Sequence, residues 1–290
     1  MGWKEVWSCV RINGKAFWKN MIGVWSVLAA VLGVVFVFVD WATLGLNSLQ
    51  CRLAAFLSLM VFAAVLSLWR VCCMQEKNVF GSSENGVMVQ YGDLLEISRR
   101  SCTSEPRIVV IPVNRCFDMT TADNLVTPNS IHGKWLTEYI KDEVSREKLA
   151  HRIETALHGQ PCMVVSRHQK PNGNRNRYEP GTVVEVPGPD GVTFYLLAMA
   201  TYKNDLEVTC SEREFYEVIQ GLVDYHMLHG RGNDLYCPIM CDHIVQPPKA
   251  SAEVLELILA ILKYNKENIH GKIHVVVYDK HRDEVPISGC

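Results

Sequence analysis

The chain has 290 residues, enough for one full domain and a smaller appendage. Its 29 Lys and Arg residues against 31 Asp and Glu give a net charge of −2, which argues against nucleic-acid binding as the main function. The hydrophobic content of 48% is concentrated in residues 1–70, and the 11 cysteines without a repeated CxxC pair indicate reduced thiols in a cytoplasmic domain.

Residues 1–20 are predicted to form an amphipathic helix. Trp3, Trp7, Val10 and Trp18 recur at helical spacing, while most Lys and Arg residues fall on the other side. This distribution is typical of a helix that lies at a membrane interface. The alternative is a soluble helix that packs against the rest of the protein.

Residues 21–70 are predicted to form a two-helix transmembrane hairpin. The run 21–39 is apolar and uncharged, and as a helix it spans roughly 28 Å. The run 53–69 is bounded by Arg52 and Arg70, and six of the seven tryptophans lie in the first 69 residues as an aromatic belt. The alternative, two buried core helices, does not explain this belt.

Positive charge flanks the hairpin at its two outer ends and predicts that both termini are cytoplasmic. Small residues in both runs fit either close contacts between copies or ordinary membrane helices. The polar segment 71–85, which contains Gly81-Ser82-Ser83, is predicted to be a linker.

Residues 86–290 have the pattern of an α/β domain with a mixed sheet flanked by helices. The run 107–114 is apolar and β-branched, as in a strand that is buried on both faces. Further strands are expected at 87–91, 161–166, 182–186, 192–200, 235–240 and 273–278. Helices are expected at 130–143, 145–158, 211–229 and 251–264.

Ser130 to Lys134 are predicted to begin a helix beside the end of the buried strand. Ser130 is a suitable N-cap, Gly133 allows close backbone approach, and free amides at a helix start bind anions. Open α/β sheets build ligand crevices from such strand ends and helix starts.

Three short segments together resemble the macro domain, an ADP-ribose-binding α/β module. They are Tyr91-Gly92-Asp93, Ile111-Pro112-Val113-Asn114 with Phe117-Asp118, and Ser130-Ile131-His132-Gly133-Lys134. The closer resemblance is to the macro domain of membrane-anchored Thoeris effectors of bacterial antiphage defence, and it covers nearly all of 86–290. The resemblance implies ligand contacts by Gly92, Asp93, Asn114, Phe117, Asp118, Ser130, Ile131, His132, Gly133, Lys134, Tyr178, Gly181, Thr182, Cys241, Asp242 and His243.

The resemblance also implies individual roles for these residues. Asp93 is expected beside the adenine amino group, and Lys134 opposite a phosphate. Tyr178 is expected to stack on a base or ribose, while Gly181 and Thr182 offer an amide and a hydroxyl. Macro domains usually have a glycine-rich loop near 241–250, but this chain has no glycine between Met240 and Gly271. Either the amides of 241–245 suffice without glycine, or the pocket accepts a different distal group.

The resemblance implies a homo-oligomeric effector in the bacterial inner membrane, without catalytic residues or a cofactor. Its signal would be a cyclic or conjugated ADP-ribose derivative, such as a histidine adduct, made by a TIR-domain enzyme. Binding would lead the hairpins to disrupt the membrane in abortive infection. The alternative is a membrane-tethered ADP-ribosyl hydrolase in which Asp118, His132 or Asp242 activates water. No metal is predicted, because Cys237, Cys241 and His243 match no standard zinc pattern.

Overall fold

The computed structural model describes residues 14–39, 43, 48–82, 84–99, 106–202, 208–240, 245–246 and 250–287. The chain divides into two compact units. One comprises residues 1–77 and 286–290, and the other comprises residues 78–285.

The first unit contains two long apolar helices, α1 (Gly14–Phe38) and α2 (Leu49–Cys72). Trp25 of α1 meets Phe56 of α2 edge to face, with ring centroids 5.2 Å apart. Within the apolar windows of the two helices, only 6% and 11% of residues are buried. Such exposed apolar surface does not fit two core helices of a soluble protein, whereas both helices are long enough to cross a membrane.

The predicted interfacial helix falls mostly outside the described residues. Residues 1–13 are not described, while residues 14–20 belong to the same continuous helix as the first apolar run. The predicted boundary at residue 21 is therefore not a helix boundary. The helix continues through residue 21 because residues 14–38 contain no proline, and an isolated glycine within a helix is tolerated.

The second unit is built on a mixed nine-stranded sheet. The strands are β1 (Glu76–Gly81), β2 (Gly86–Tyr91), β3 (Arg107–Asn114), β6 (Val183–Pro187), β7 (Val192–Tyr202), β8 (Val208–Ser211), β9 (Asp234–Pro238), β10 (Val245–Gln246) and β11 (Lys272–Val277). The order is β1-β2-β11-β9-β3-β7-β8-β10, with β6 also paired to β7. The run β2, β11, β9, β3 and β7 is parallel, so these strands end at one edge.

The buried strand predicted at 107–114 is confirmed. β3 pairs in parallel with β7 and β9, and Val109, Val110 and Ile111 are fully buried. Helices α3 (Leu94–Arg99), α4 (Ile131–Tyr139) and α5 (Glu143–Leu157) supply buried side chains to the core cluster that contains Val109. Helices α6 (Glu212–His229) and α7 (Ser251–Tyr264) contact each other, and α6 also contacts β7. The mixed sheet flanked by helices is thus as predicted.

Two segments differ from their predicted secondary structure. The linker predicted at 71–85 contains β1, which neighbours β2 in the sheet across a turn closed by Ser82 N–H donating to the Asn85 carbonyl at 2.7 Å. The strand predicted at 161–166 is only β4 (Cys162–Val164), which pairs with β5 (Asn176–Tyr178) in a separate ribbon. The segment 71–85 was therefore predicted as a linker from its composition, although it contains an edge strand. The segment 161–166 was predicted as a strand from its local apolar content, although it contributes only to a surface ribbon.

The predicted boundary between the helices at 130–143 and 145–158 is also shifted. Ile140 leaves the helical region with φ −117° and ψ 70°, so α4 ends at Tyr139. Asp142 then caps α5, where its Oδ1 accepts from Ser145 N–H at 2.7 Å. By contrast, the capping box predicted at the start of α6 is present, with Glu214 Oε2 accepting from Ser211 N–H at 2.9 Å.

Candidate functional site

A pocket of about 370 Å³ lies at the edge where the parallel strands end. Gly92 and Asp93 follow β2, Pro238 ends β9, and Tyr278 follows β11. This edge of an open α/β sheet is where ligands bind in such folds. The remaining wall comes from the starts of α3, α4 and α7 and from His281.

Asp93 is the one carboxylate among the described pocket-lining residues. Its Oδ1 accepts from Leu95 N–H at 2.8 Å and from Glu96 N–H at 3.3 Å, which makes Asp93 the N-cap of α3. The cap fixes the carboxylate at the pocket wall. A carboxylate in this position can accept a hydrogen bond from an exocyclic amine of a base.

The start of α4 contributes Ser130, Ile131 and Lys134 to the pocket wall. Ser130 Oγ accepts from Gly133 N–H at 3.1 Å and donates to the Thr127 carbonyl at 2.6 Å. Gly133 is buried, and a Cβ there would collide with the backbone of Thr127 and Pro128. The close approach expected of Gly133 is therefore to its own preceding loop.

Positive charge surrounds an aromatic ring on one side of the pocket. Lys134 Nζ lies 5.9 Å from the Tyr278 ring centroid, and Lys280 Nζ lies 5.8 Å from it. His281 also lines the pocket, and its Nδ1 is 3.0 Å from Glu284 Oε2. An aromatic face next to ammonium groups suits a ligand that carries both a ring and an anionic group.

Helix α7 begins at the pocket with Ser251, which is 6% exposed. Its N-cap residue, Ala250, makes no side-chain capping hydrogen bond. The start of a helix presents backbone N–H groups, which can bind an anion. Carboxylate, aromatic ring, ammonium and helix start together give this pocket the chemistry of a nucleotide-like site.

The predicted residues at the end of β3 lie away from this pocket. Asn114 Oδ1 accepts from Cys116 N–H at 3.0 Å and Asp118 N–H at 3.3 Å, closing the turn that follows the strand. Within the described part of the chain, Asn114 Nδ2 is buried without a hydrogen-bond partner. Phe117 adopts φ 52° in the same turn and is 1% exposed.

Asp118 forms a buried ion pair. Its Oδ2 lies 2.7 Å from Lys170 Nζ, and the two side chains are 2% and 3% exposed. Asp118 Oδ1 accepts from Asn174 N–H at 2.7 Å. The polar loop around 170–174 is therefore fastened to the end of β3, and Asp118 is engaged in that contact.

His132 faces the protein interior. It is 5% exposed, and its Nε2 lies 3.4 Å from Met119 Sδ. Burial lowers the pKa of His132 to about 3, so the ring is neutral at physiological pH. His132 thus lies on the buried face of α4, and the structure does not bring it to the pocket wall.

Tyr178, Gly181 and Thr182 also have structural contacts that account for them. Tyr178 is 9% exposed and packs edge to face on Phe117 at 5.8 Å. Gly181 has φ 82°, and a Cβ there would lie 3.0 Å from the Cα of Gly221 in α6. Thr182 Oγ donates to the Glu179 carbonyl at 2.8 Å. None of the three lines the pocket.

Phe117 and Tyr178 line a second cavity, of about 400 Å³, beside α5. Its walls include Ile153 and Leu157 from α5 and Cys116 from the turn after β3. Burial raises the pKa of the Cys116 thiol to about 11. The predicted site residues thus divide between two cavities and the core.

Cys241, Asp242 and His243 lie outside the described residues. Within the described part of the chain, no group of three or more His, Cys, Asp or Glu side chains is arranged to hold a metal ion. Burial raises the pKa of the Cys237 thiol to about 12, which disfavours the thiolate that zinc requires. The absence of a metal stays a prediction.

Several pocket residues were not predicted from the sequence: Leu94, Leu95, Asn129, Pro238, Ile239, Ser251, Val276, Val277, Tyr278 and His281. Some of them could have been predicted, because the strands at 235–240 and 273–278 were expected. Residues that follow the ends of parallel strands border the edge of the sheet where ligands bind. His281 could not be predicted in this way, because it follows the strand in a short 3-10 turn (Asp279–His281).

Comparison with solved structures finds macrodomains of Oceanobacillus iheyensis. One, solved with ADP, is 13% identical with a TM-score of 0.45, and the match covers 74% of this chain and 93% of that chain. Another, solved with MES bound, is 12% identical with a TM-score of 0.45, covering 72% of this chain and 90% of that one. No curated protein matches the chain.

A family model described as "Thoeris protein ThsA, Macro domain" matches residues 87–278, about two thirds of the chain. The matched region includes the sheet from β2 to β11 and most of the pocket wall. The chain therefore belongs to the Thoeris ThsA macro-domain family.

Proposed function

We propose that this protein is a membrane effector of bacterial antiphage defence whose macro domain senses an ADP-ribose-derived signal. Family membership supports a Thoeris role. The observation that carries the ligand class is the pocket at the carboxyl edge of the parallel strands, where Asp93, Tyr278 and Lys134 meet. Carboxylate, ring and ammonium match the amine, base and phosphates of an adenine nucleotide.

The distal part of the signal is proposed to be a conjugate such as a histidine adduct, made by a TIR-domain enzyme. The glycine-poor loop raised the question of a different distal group, and its predicted ligand contacts, Cys241, Asp242 and His243, lie outside the described residues. The proposal for the adduct rests on family resemblance. It predicts tighter binding of an amino-acid conjugate of ADP-ribose than of ADP-ribose itself.

The membrane part of the proposal rests on α1 and α2. Both helices expose long apolar surfaces, and both are long enough to cross a bilayer. Lys and Arg residues outside the hairpin favour a multi-pass protein of the inner membrane with both termini in the cytoplasm. We propose that ligand binding favours an oligomer in which these helices disrupt the membrane.

The site is proposed to bind its ligand without cleaving it. Of the three candidates for water activation, Asp118 is paired with Lys170, and His132 is buried and neutral. The third, Asp242, lies outside the described residues. A general base must reach the proton that it removes, and neither Asp118 nor His132 lines the pocket.

Calorimetric titration of the full chain in lipid nanodiscs with ADP-ribose tests the ligand class. The proposal expects saturable binding, with the ligand recovered intact after overnight incubation. Recovery of cleaved ligand would favour the hydrolase, and the absence of binding to both ADP-ribose and its histidine conjugate would contradict the sensor.

Dye release from liposomes of bacterial lipid composition tests the membrane step. The full chain is expected to release dye only after addition of the ligand that binds in calorimetry. Release that is equal with and without bound ligand would contradict a ligand-controlled effector.

A further inference from the structure

The C-terminal end of the second unit forms one wall of the pocket. Tyr278 and His281 line the pocket, and both belong to the segment 278–285 that follows β11. The segment is a compact turn, in which the Tyr278 carbonyl accepts from His281 N–H at 2.8 Å and the His281 carbonyl accepts from Val285 N–H at 2.9 Å. We call residues 278–285 the C-terminal turn.

Side chains rather than sheet pairing attach the far end of this turn. The guanidinium of Arg282 lies 4.3 Å from the centroid of the Tyr91 ring. Tyr91 Oη donates to the Val285 carbonyl at 2.9 Å. A cation over a ring and one hydrogen bond therefore clamp the C-terminal turn to the last residue of β2.

The clamp stands directly beside the pocket without being part of its wall. Tyr91 is followed by Gly92 and Asp93, which line the pocket, and Arg282 follows the pocket-lining His281. Arg282 is further oriented by Asp279, whose Oδ1 is 3.8 Å from its Nη2. The two clamp residues are thus sequence neighbours of pocket residues on the Asp93 side and on the Tyr278 side of the site.

We propose that Tyr91 and Arg282 are positioning residues that set the C-terminal turn as a movable wall of the pocket. The inference rests on the proposed function, because it assumes that the pocket takes a ligand with a ring and an anionic group. Binding between Asp93 and Tyr278 then stabilises one position of the turn over others.

The test uses the full chain in lipid nanodiscs with ADP-ribose as the probe. Arg282→Gln removes the cation, Arg282→Lys keeps a cation over the ring, and Tyr91→Phe keeps the ring but removes the hydroxyl. Arg213→Gln is the matched control. Arg213 is an exposed arginine that pairs with Glu217 one turn further along α6, and it does not line the pocket. Affinity, unfolding temperature and backbone hydrogen exchange are measured for each variant.

Arg282→Gln is expected to weaken ADP-ribose binding by about fivefold, the effect of losing one cation–π contact. Arg282→Lys is expected to restore most of the affinity, while Arg213→Gln leaves it unchanged. In the wild type, ligand is expected to slow hydrogen exchange at 279–285, and this protection is expected to disappear in Arg282→Gln at an unfolding temperature close to that of the wild type.

Wild-type affinity in Arg282→Gln would overturn the proposal, as would loss of binding that merely follows a fall in unfolding temperature and is not restored by Arg282→Lys. If the wild type binds neither ADP-ribose nor its histidine conjugate, the proposed function fails, and the clamp is then tested by hydrogen exchange without ligand. In that case, unchanged exchange of 279–285 in Arg282→Gln and Tyr91→Phe overturns it.

Discussion

Asp93 combines a structural and a chemical role in one side chain. One carboxylate oxygen caps α3 through two backbone amides, and the residue lines the pocket. Replacing it with alanine would remove both the cap and the charge. Asparagine is an equally good N-cap residue, so Asp93→Asn separates the two roles.

Asp93→Asn is expected to weaken ADP-ribose binding by about tenfold, because a charge-assisted hydrogen bond to the base is lost. The unfolding temperature is expected to stay close to that of the wild type. Calorimetry on the full chain checks the first expectation and thermal unfolding the second. Asp142→Asn, at the exposed cap of α5, is the control. Equal affinity in wild type and Asp93→Asn would remove Asp93 from the site.

His132 shows how burial ties one residue to the pH dependence of stability. The unfolded chain binds a proton at His132 near pH 6.5, whereas the folded chain resists protonation until about pH 3. The folded pKa is below the unfolded one, so this stability is present above pH 6.5 and is lost as pH falls towards 3.

Between pH 7 and pH 5, the free energy of unfolding is expected to fall by about 2 kcal/mol through His132. Urea unfolding of the full chain in detergent at both pH values measures this fall. His132→Gln is expected to show a correspondingly smaller fall, and the exposed His151→Gln the same fall as the wild type. The same pH dependence in His132→Gln and wild type would contradict the assignment.

Sequence patterns identified pocket residues where motif and strand end coincide. Gly92, Asp93, Ser130, Ile131 and Lys134 each stand next to a predicted strand or helix start, and all five line the pocket. Tyr178, Gly181 and His132 were assigned from the resemblance to the macro domain. Their core packing, such as the close approach of Gly181 to Gly221, depends on contacts far apart in sequence that no local pattern encodes.

At the scale of elements, the loop between β4 and β5 is held by a buried charge pair. Lys170 reaches Asp118 at the end of β3, and Asn174 Nδ2 donates to the Phe117 carbonyl at 3.0 Å. A run of polar and basic residues such as 167–177 is usually a solvated surface loop. Ion pairing with a distant strand reverses that expectation, because it removes the charge of Lys170 from water.

Lys170→Met is expected to lower the free energy of unfolding by about 3–5 kcal/mol, because Asp118 is left as an uncompensated buried charge. Adding Asp118→Asn to Lys170→Met is expected to recover part of this loss. Urea unfolding measures both variants, with the exposed Lys148→Met as the control. A loss in Lys170→Met no larger than in Lys148→Met would mean that the pair does not hold the loop.

The main elements followed from the sequence, and the exceptions have local causes. β3 and α6 were predicted almost to the residue, because one has a continuous apolar run and the other a capping box. β1 was missed because its composition is polar and it lies at an edge, where one face and one side stay in water. Edge strands are specified by their partner more than by their own pattern.

At the scale of the whole molecule, composition by itself distinguishes the two units. Apolar runs predicted α1 and α2, the α/β pattern predicted a mixed sheet flanked by helices, and the resemblance of three segments indicated the macro-domain fold. The position of the pocket follows from strand order, since β2, β11, β9 and β3 end at one edge. Strand order depends on long-range pairing, so the sequence placed candidate residues without deciding which of them share a cavity.

Photolabelling with an ADP-ribose that carries an azide on its adenine tests whether the ligand binds in the pocket at the end of the parallel strands. The full chain in nanodiscs is labelled, digested and mapped by mass spectrometry. Labelling is expected within residues 91–95 and 276–281, and excess unlabelled ADP-ribose is expected to abolish this labelling. Labelling confined to 116–119 and 174–178, around the second cavity, would contradict the assignment of the pocket at the end of the parallel strands.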